Sequence, residues 1–180
     1  SNIEVIFVND GSTDNSFDIA RQYESFKNVR IINIANGGVA NARNIGLGYC
    51  SGRYVWFVDA DDYIVPNAIN EIIKAVNYYD FTPDIITANF YAFTEEDMRK
   101  KVFYRSGYRF DEYLHMSGII SDPFDSLFRK IQLHCAIFNH VFRVQYLRDN
   151  SITFDSSLPV SEDFIFKLSA IANAKRFGFI

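Results

Sequence analysis

The sequence predicts an α/β domain built on a mostly parallel sheet flanked by helices. Three observations carry that expectation: apolar β-branched runs alternate with segments of helical period, the runs end on Asn, Asp, Gly and Ser, and acidic clusters fall where strands stop. With 180 residues, 48% of them hydrophobic and 17% aromatic, the chain can bury one substantial core. No apolar run approaches the ~20 residues of a membrane-spanning helix. The net charge of −4 is spread among interspersed acids and bases, which leaves no basic stripe for a nucleic-acid backbone. Cys50 and Cys135 lie far apart with no C-x-x-C spacing, so reduced thiols and a cytoplasmic setting are expected rather than a disulfide framework or zinc site.

Residues 3–8 (Ile-Glu-Val-Ile-Phe-Val) form a buried-strand pattern stopped by Asn9-Asp10-Gly11-Ser12. Asp14 or Asn15 can cap a helix running to about Lys27. Val29 to Ile34 reads as a second strand, and the Asn36-Gly37-Gly38 loop opens a helix from Val39 to Cys50. Residues 53–58 form a third strand that runs into Asp59-Ala60-Asp61-Asp62. Pro66 opens a helix reaching about Tyr79, at a position where its missing N–H is not needed. Asp84 to Phe93 is a fourth strand. Beyond it, 94–101 reads as a solvated loop or hairpin tip, and 102–109, 111–120 and 124–131 as short strand or helix candidates. Residues 136–142 suggest a strand, Gln145 to Asp149 a helix, and Ser161 to about Ala172 a last helix. A single domain is expected over 1–180, with 1–93 as one half and 94–180 as the other.

In such sheets ligands bind beyond the carboxyl ends of the strands, where both acidic clusters fall. Alternate residues of an extended chain share a face, so Asp59 and Asp61 can turn toward one ligand. Their repulsion invites a hard divalent cation, Mg²⁺ or Mn²⁺, bridging to phosphate; the plainer alternative is a helix cap with exposed acids. Gly11 permits close backbone approach at the first turn, although an ordinary capped βα turn would look the same. Arg43 can grip a phosphate or a base edge bidentately, or simply pair with an acid. Neither G-x-G-x-x-G nor a P-loop is present.

The runs VNDGSTDNS, NGGVANARNIGL and YVWFVDADDYI, in this order and spacing, closely resemble glycosyltransferase family 2 enzymes of the GT-A fold. The resemblance implies an inverting transferase that moves a sugar from a nucleotide-diphosphate donor, a UDP-sugar above all, to a hydroxyl of a glycan or lipid-linked acceptor. The expected setting is bacterial cell-surface polysaccharide synthesis, in the cytoplasm or at the inner face of the membrane. By the same resemblance, Asp10 contacts the nucleotide base, Arg43 lies on the nucleotide side, and Asp59 and Asp61 form the D-x-D pair. That pair sits at the ribose and diphosphate and holds Mn²⁺ or Mg²⁺, chiefly through Asp61. Asp62 faces donor sugar or acceptor. Ser161-Glu162-Asp163 is similar to the family's E-D motif, whose aspartate makes Asp163 the expected general base; a carboxylate at a helix start can also be a plain cap. Residues 135–143 resemble the segment reading N-K-L-F/Y-R, with His140 where lysine is common.

The family's usual first strand, V-S-I-I-I-P-V-Y-N, has no counterpart here, so the chain is expected to be N-terminally incomplete. That departure keeps open a truncated or degenerate GT-A domain that binds nucleotide or a partner without transfer. A receiver-type phosphotransfer domain also gathers aspartates at strand ends, but it needs a lysine at a later strand end and fits this motif order poorly. Tyr104, Tyr108, Phe110 and Tyr113 offer rings for stacking on sugars, with core packing as the commoner use.

Overall fold

The computed structural model describes residues 3–78, 82–88, 90–94, 97–104, 114–115 and 137–179. The segments 105–113 and 116–136, and with them Cys135, Tyr108, Phe110 and Tyr113, lie outside the described residues. Two compact units emerge, one from residues 1–55 and 144–170, the other from 56–143 and 171–180.

In the first unit, β1 (Val5–Asp10) and β2 (Val29–Ile34) pair in parallel with Val5 opposite Val29 and Asp10 opposite Ile34. β2 has the predicted bounds, whereas β1 starts two residues later than predicted and runs on through Asn9 and Asp10, because its pairing with β2 continues past the apolar run. The helix between them, α1 (Ser16–Arg21), is shorter than the sequence predicts. After Arg21 the chain continues in i to i+3 turns, with Tyr23 N–H on Ala20 O and Phe26 N–H on Tyr23 O. Tighter turns of this kind use the carbonyls that a helix end leaves without partners. α2 (Val39–Tyr49) covers β1, and at their contact Gly46 leaves only 3.5 Å between its would-be Cβ and Val8 Cγ2. The segment 144–170 adds α4 (Val144–Asp149) and most of α5 (Glu162–Asn173). Val144, Tyr146, Leu147, Ile152, Phe154 and Phe166 are buried there, and full burial of each large side chain contributes about 1.5–3 kcal/mol.

Glu4 ties the start of β1 to the turn after α2. Its carboxylate accepts from Ser51 N and Gly52 N at 2.7 and 2.6 Å and from Ser51 Oγ at 2.8 Å. Burial pushes this carboxyl up, but those hydrogen bonds and the Arg30 charge outweigh it and hold the group below its ordinary 4.5. Cys50 is a free thiol, pushed up to about 11 by burial first and then by the Glu4 charge.

β3 (Tyr54–Trp56) leads from the first unit into the second, whose helix α3 (Ala68–Tyr78) begins two residues after Pro66. Asn67, at φ 69°, makes that entry, and its carbonyl accepts from Glu71 N–H at 3.0 Å. The predicted fourth strand divides into β4 (Ile85–Thr87) and β5 (Phe90–Thr94). β5 pairs antiparallel with β6 (Asp97–Tyr104), which takes up much of the 94–101 stretch read as a solvated loop or hairpin tip. Ladder hydrogen bonds to β5 override the polar local sequence, since strand preference is set largely by context. β8 (His140–Arg143), β4, β9 (Arg176–Phe179) and β7 (Leu114–His115) lie side by side in that order. β4 runs parallel to β9 and antiparallel to β8, so this sheet is mixed.

Asp84, just ahead of β4, joins three strands. Its Oδ1 accepts from Arg143 Nη2 at 2.6 Å and lies 3.7 Å from Arg176 Nη2, while Oδ2 accepts from Lys175 N and Arg176 N at 3.1 and 3.2 Å. Asp84 is buried, so removing its charge strands arginines that it neutralises. Replacing Asp84 with Ala is expected to lower the unfolding free energy in urea by about 3 kcal/mol. A second expectation concerns acid. Because the Glu4 carboxyl is depressed in the folded state, its contribution is present above the ordinary carboxylate value and lost as pH falls through the folded one. Glu4→Gln should therefore lower the melting temperature at pH 7 and leave a shallower loss of stability below pH ~4.5.

Candidate active site

The parallel register of β1 and β2 brings their two carboxyl-end loops into contact. Asp10 Oδ1 accepts from Gly37 N at 2.7 Å. Gly11 has φ 67°, and a Cβ there would meet Asn36 N at 2.7 Å, so the close approach and the left-handed backbone both require glycine. One residue earlier, Asn9 is buried and donates from Nδ2 to Asn33 Oδ1, its register partner, at 2.7 Å. Of the two cap candidates, Asn15 takes the N-cap position of α1 without a side-chain cap hydrogen bond, and Asp14 bonds the first helical amide. Asp14 accepts from Ser16 N at 3.0 Å, and the Ser16 hydroxyl and amide hold its carboxyl below the usual range.

Gly38, at φ 85°, turns the chain into α2. Arg43 on that helix takes the ion-pair alternative that the sequence left beside a phosphate role. Its Nη1 lies 2.9 Å from Glu162 Oε1, with both side chains only 12% exposed, and its guanidinium sits 5.4 Å from the Phe154 ring centroid. The next residue, Asn44, donates to Phe154 O at 2.8 Å and accepts from Phe154 N at 2.9 Å. Asp163 stands at the start of α5, where helix N–H groups favour a carboxylate, and its Oδ1 accepts from Phe164 N at 2.7 Å. The first unit thus places Arg43 against the neighbour of Asp163 and Asp10 against the glycine loop. The sequence reading met Glu162 only within the E-D motif and Asn44 only within the glycine-loop run, and it foresaw neither their contacts nor Phe154. An Arg-Asn pair on one helix and Phe-x₇-Glu-Asp further on carry no spacing rule that would join them across more than a hundred residues.

Asp59, Asp61 and Asp62 belong to the second unit and occupy a turn just past β3. Asp62 N–H donates to Asp59 O at 3.1 Å, which folds the three acids into one short loop. Burial, and then the charges of Asp59 and Asp61, push the Asp62 carboxyl up. That crowding is what a cation relieves, and two carboxylates are a usual protein share of a Mg²⁺ site completed by phosphate oxygens. Among the described residues no three His, Cys, Asp or Glu side chains form a cation-holding group on their own. Nearby, Trp56 Nε1 donates to Phe138 O, and Asn139 and His140 are buried, the His140 ring stacked on Phe142 with centroids 5.9 Å apart. No helix among the described residues is long and apolar enough to cross a membrane.

Residues 1–148 match the family model described as Glycosyl transferase family 2. The chain is 32% identical over 148 residues to the glycosyltransferase GlyA of Streptococcus pneumoniae, covering 82% of this chain and 18% of GlyA. It is 30% identical over 181 residues to the uncharacterized glycosyltransferase EpsJ of Bacillus subtilis, covering 98% of this chain and 49% of EpsJ. In three dimensions it is similar to residues 1–349 of S. aureus TarS, with a TM-score of 0.74 at 23% identity, covering 98% of this chain and 48% of that one. TarS has also been crystallised with UDP and with UDP-GlcNAc. The chain spans about half or less of the length of these relatives. The fold is the GT-A fold that the motifs implied. With all three N-terminal motifs inside a match that takes in most of its residues, the chain belongs to glycosyl transferase family 2.

Proposed function

We propose that the protein is an inverting glycosyltransferase that moves a sugar from a UDP-sugar to a hydroxyl of a glycan or lipid-linked acceptor in cell-surface polysaccharide synthesis. The observation that carries this reading is the acidic turn Asp59–Asp62, set directly past a core strand inside the family match. The complexes of TarS with UDP and UDP-GlcNAc support the choice of donor class, and GlyA and EpsJ the transferase class. Asp163 lies beyond residue 148; its support is the EpsJ likeness, which covers 98% of the chain, and its place at a helix start.

In this mechanism Asp10 and the glycine loop it holds receive the base, with Arg43 on the nucleotide side. Asp61 and Asp59 would hold Mn²⁺ or Mg²⁺. When bound, the cation supplies charge neutralisation for the diphosphate leaving group. Asp62, with its carboxyl raised toward the neutral form, faces the donor sugar or the acceptor. Asp163 takes the proton from the acceptor hydroxyl as that oxygen bonds to the anomeric carbon. The bond from that carbon to the diphosphate breaks on the opposite face, so UDP leaves and the configuration inverts.

Two substitutions test the assignments on a panel of UDP-sugars. Asp61→Asn should abolish the Mn²⁺ dependence of UDP release and lower kcat/KM by about a hundredfold or more; undiminished, metal-stimulated turnover would remove Asp61 as a ligand. Asp163→Asn should bind UDP with near-normal affinity in calorimetry yet lose about 10²–10⁴-fold in transfer, the usual share of a general base. Near-normal transfer by that variant would remove Asp163 as the base.

A further inference from the structure

The first turn of α5 is gripped by contacts that the proposed chemistry leaves unused. Ser161, the residue before the helix, has φ 68°, a left-handed conformation that a serine holds only when its surroundings impose it. Its carbonyl nonetheless accepts from Ile165 N–H at 3.1 Å and starts the helix. Next in sequence, Glu162 meets Arg43 at 2.9 Å with both side chains largely shielded from water. Arg43 also lies over Phe154, which stacks on Phe166 of α5 with centroids 4.0 Å apart and planes 7° from parallel. Asn44 locks the backbone of Phe154 from both its N–H and its C=O. Two consecutive residues of α2 therefore fix the 154–166 segment at two points, one by charge and one by a paired amide.

We propose that Glu162 is a positioning residue: its ion pair with Arg43 holds the strained first turn of α5 and so sets the direction of the Asp163 carboxylate. The inference rests on the reading of Asp163 as the base. It also gives Arg43 a task apart from the nucleotide. A shielded ion pair suits this role, because loss of either partner weakens what holds the other and frees the turn to relax. Small displacements of a reacting group are costly, with a misplacement of about 1 Å able to cost about a hundredfold in rate.

The test uses the full chain and the charge-removing, size-preserving change Glu162→Gln, read in two ways. With the best donor among UDP-GlcNAc, UDP-glucose and UDP-galactose, kcat should fall by about ten- to a hundredfold while donor KM stays within about twofold. In hydrogen exchange, the Ile165 amide should lose protection while the β1 amides keep theirs. The reversed pair, Arg43→Glu with Glu162→Arg, should regain at least about tenfold in kcat over either single change. Asp163→Asn run alongside separates the two claims, since normal turnover by that variant defeats the base reading whatever Glu162 does. Collapse of Asp163→Asn together with an unchanged kcat for Glu162→Gln would overturn the positioning role alone. Unaltered Ile165 exchange in Glu162→Gln would overturn it without any donor. A rise in donor KM for Arg43→Lys with Glu162→Gln silent would likewise overturn it and return Arg43 to the nucleotide.

Discussion

The parallel pairing of β1 with β2 is the constraint on which the first unit depends. Because side chains alternate along a strand, a slip of one residue in this pairing would exchange the faces that the side chains of β1 present. The observed register sets Asn9 beside Asn33 and ends both strands together, so Asp10 reaches the amide of Gly37. Gly11 then has to pass against Asn36, and only a residue without Cβ fits. One register thus accounts for the glycine, the aspartate and the loop that leads into α2.

Charge is handled differently in the two units. Around Arg43 and Glu162 opposite charges are paired and shielded, which favours a fixed geometry. At Asp84 one buried carboxylate serves two arginines and two backbone amides, joining β4, β8 and β9. At Asp59–Asp62 like charges share one turn, and burial first, then the charges of Asp59 and Asp61, push the Asp62 carboxyl up. The first two arrangements are self-sufficient. The third crowds three acids into one turn, the arrangement that the proposed cation and diphosphate binding would use.

The order of chemistry along the chain follows the same logic. Acids sit where strands stop, because a strand end exposes side chains that its interior would bury. Asp163 sits where a helix starts, because free N–H groups there accept negative charge. The large apolar side chains stay inside, with Phe166 buried in the first unit and Phe142 and Phe177 in the second.

Local sequence determined the strands and helices up to about residue 78, the motif turns and the family, since β-branched runs, glycines and acids act through neighbours a few positions away. It also located the helix that begins at Glu162. Other features were settled only by tertiary structure. The four residues of β9 are too few to show a period, and they are a strand because β4 lies alongside. The polar stretch of β6 is a strand because β5 supplies its ladder. Arg43 meets Glu162, and Asn44 meets Phe154, across 119 and 110 positions of chain. Such pairings depend on where whole elements pack, and no local preference encodes a contact between residues that only the fold makes neighbours.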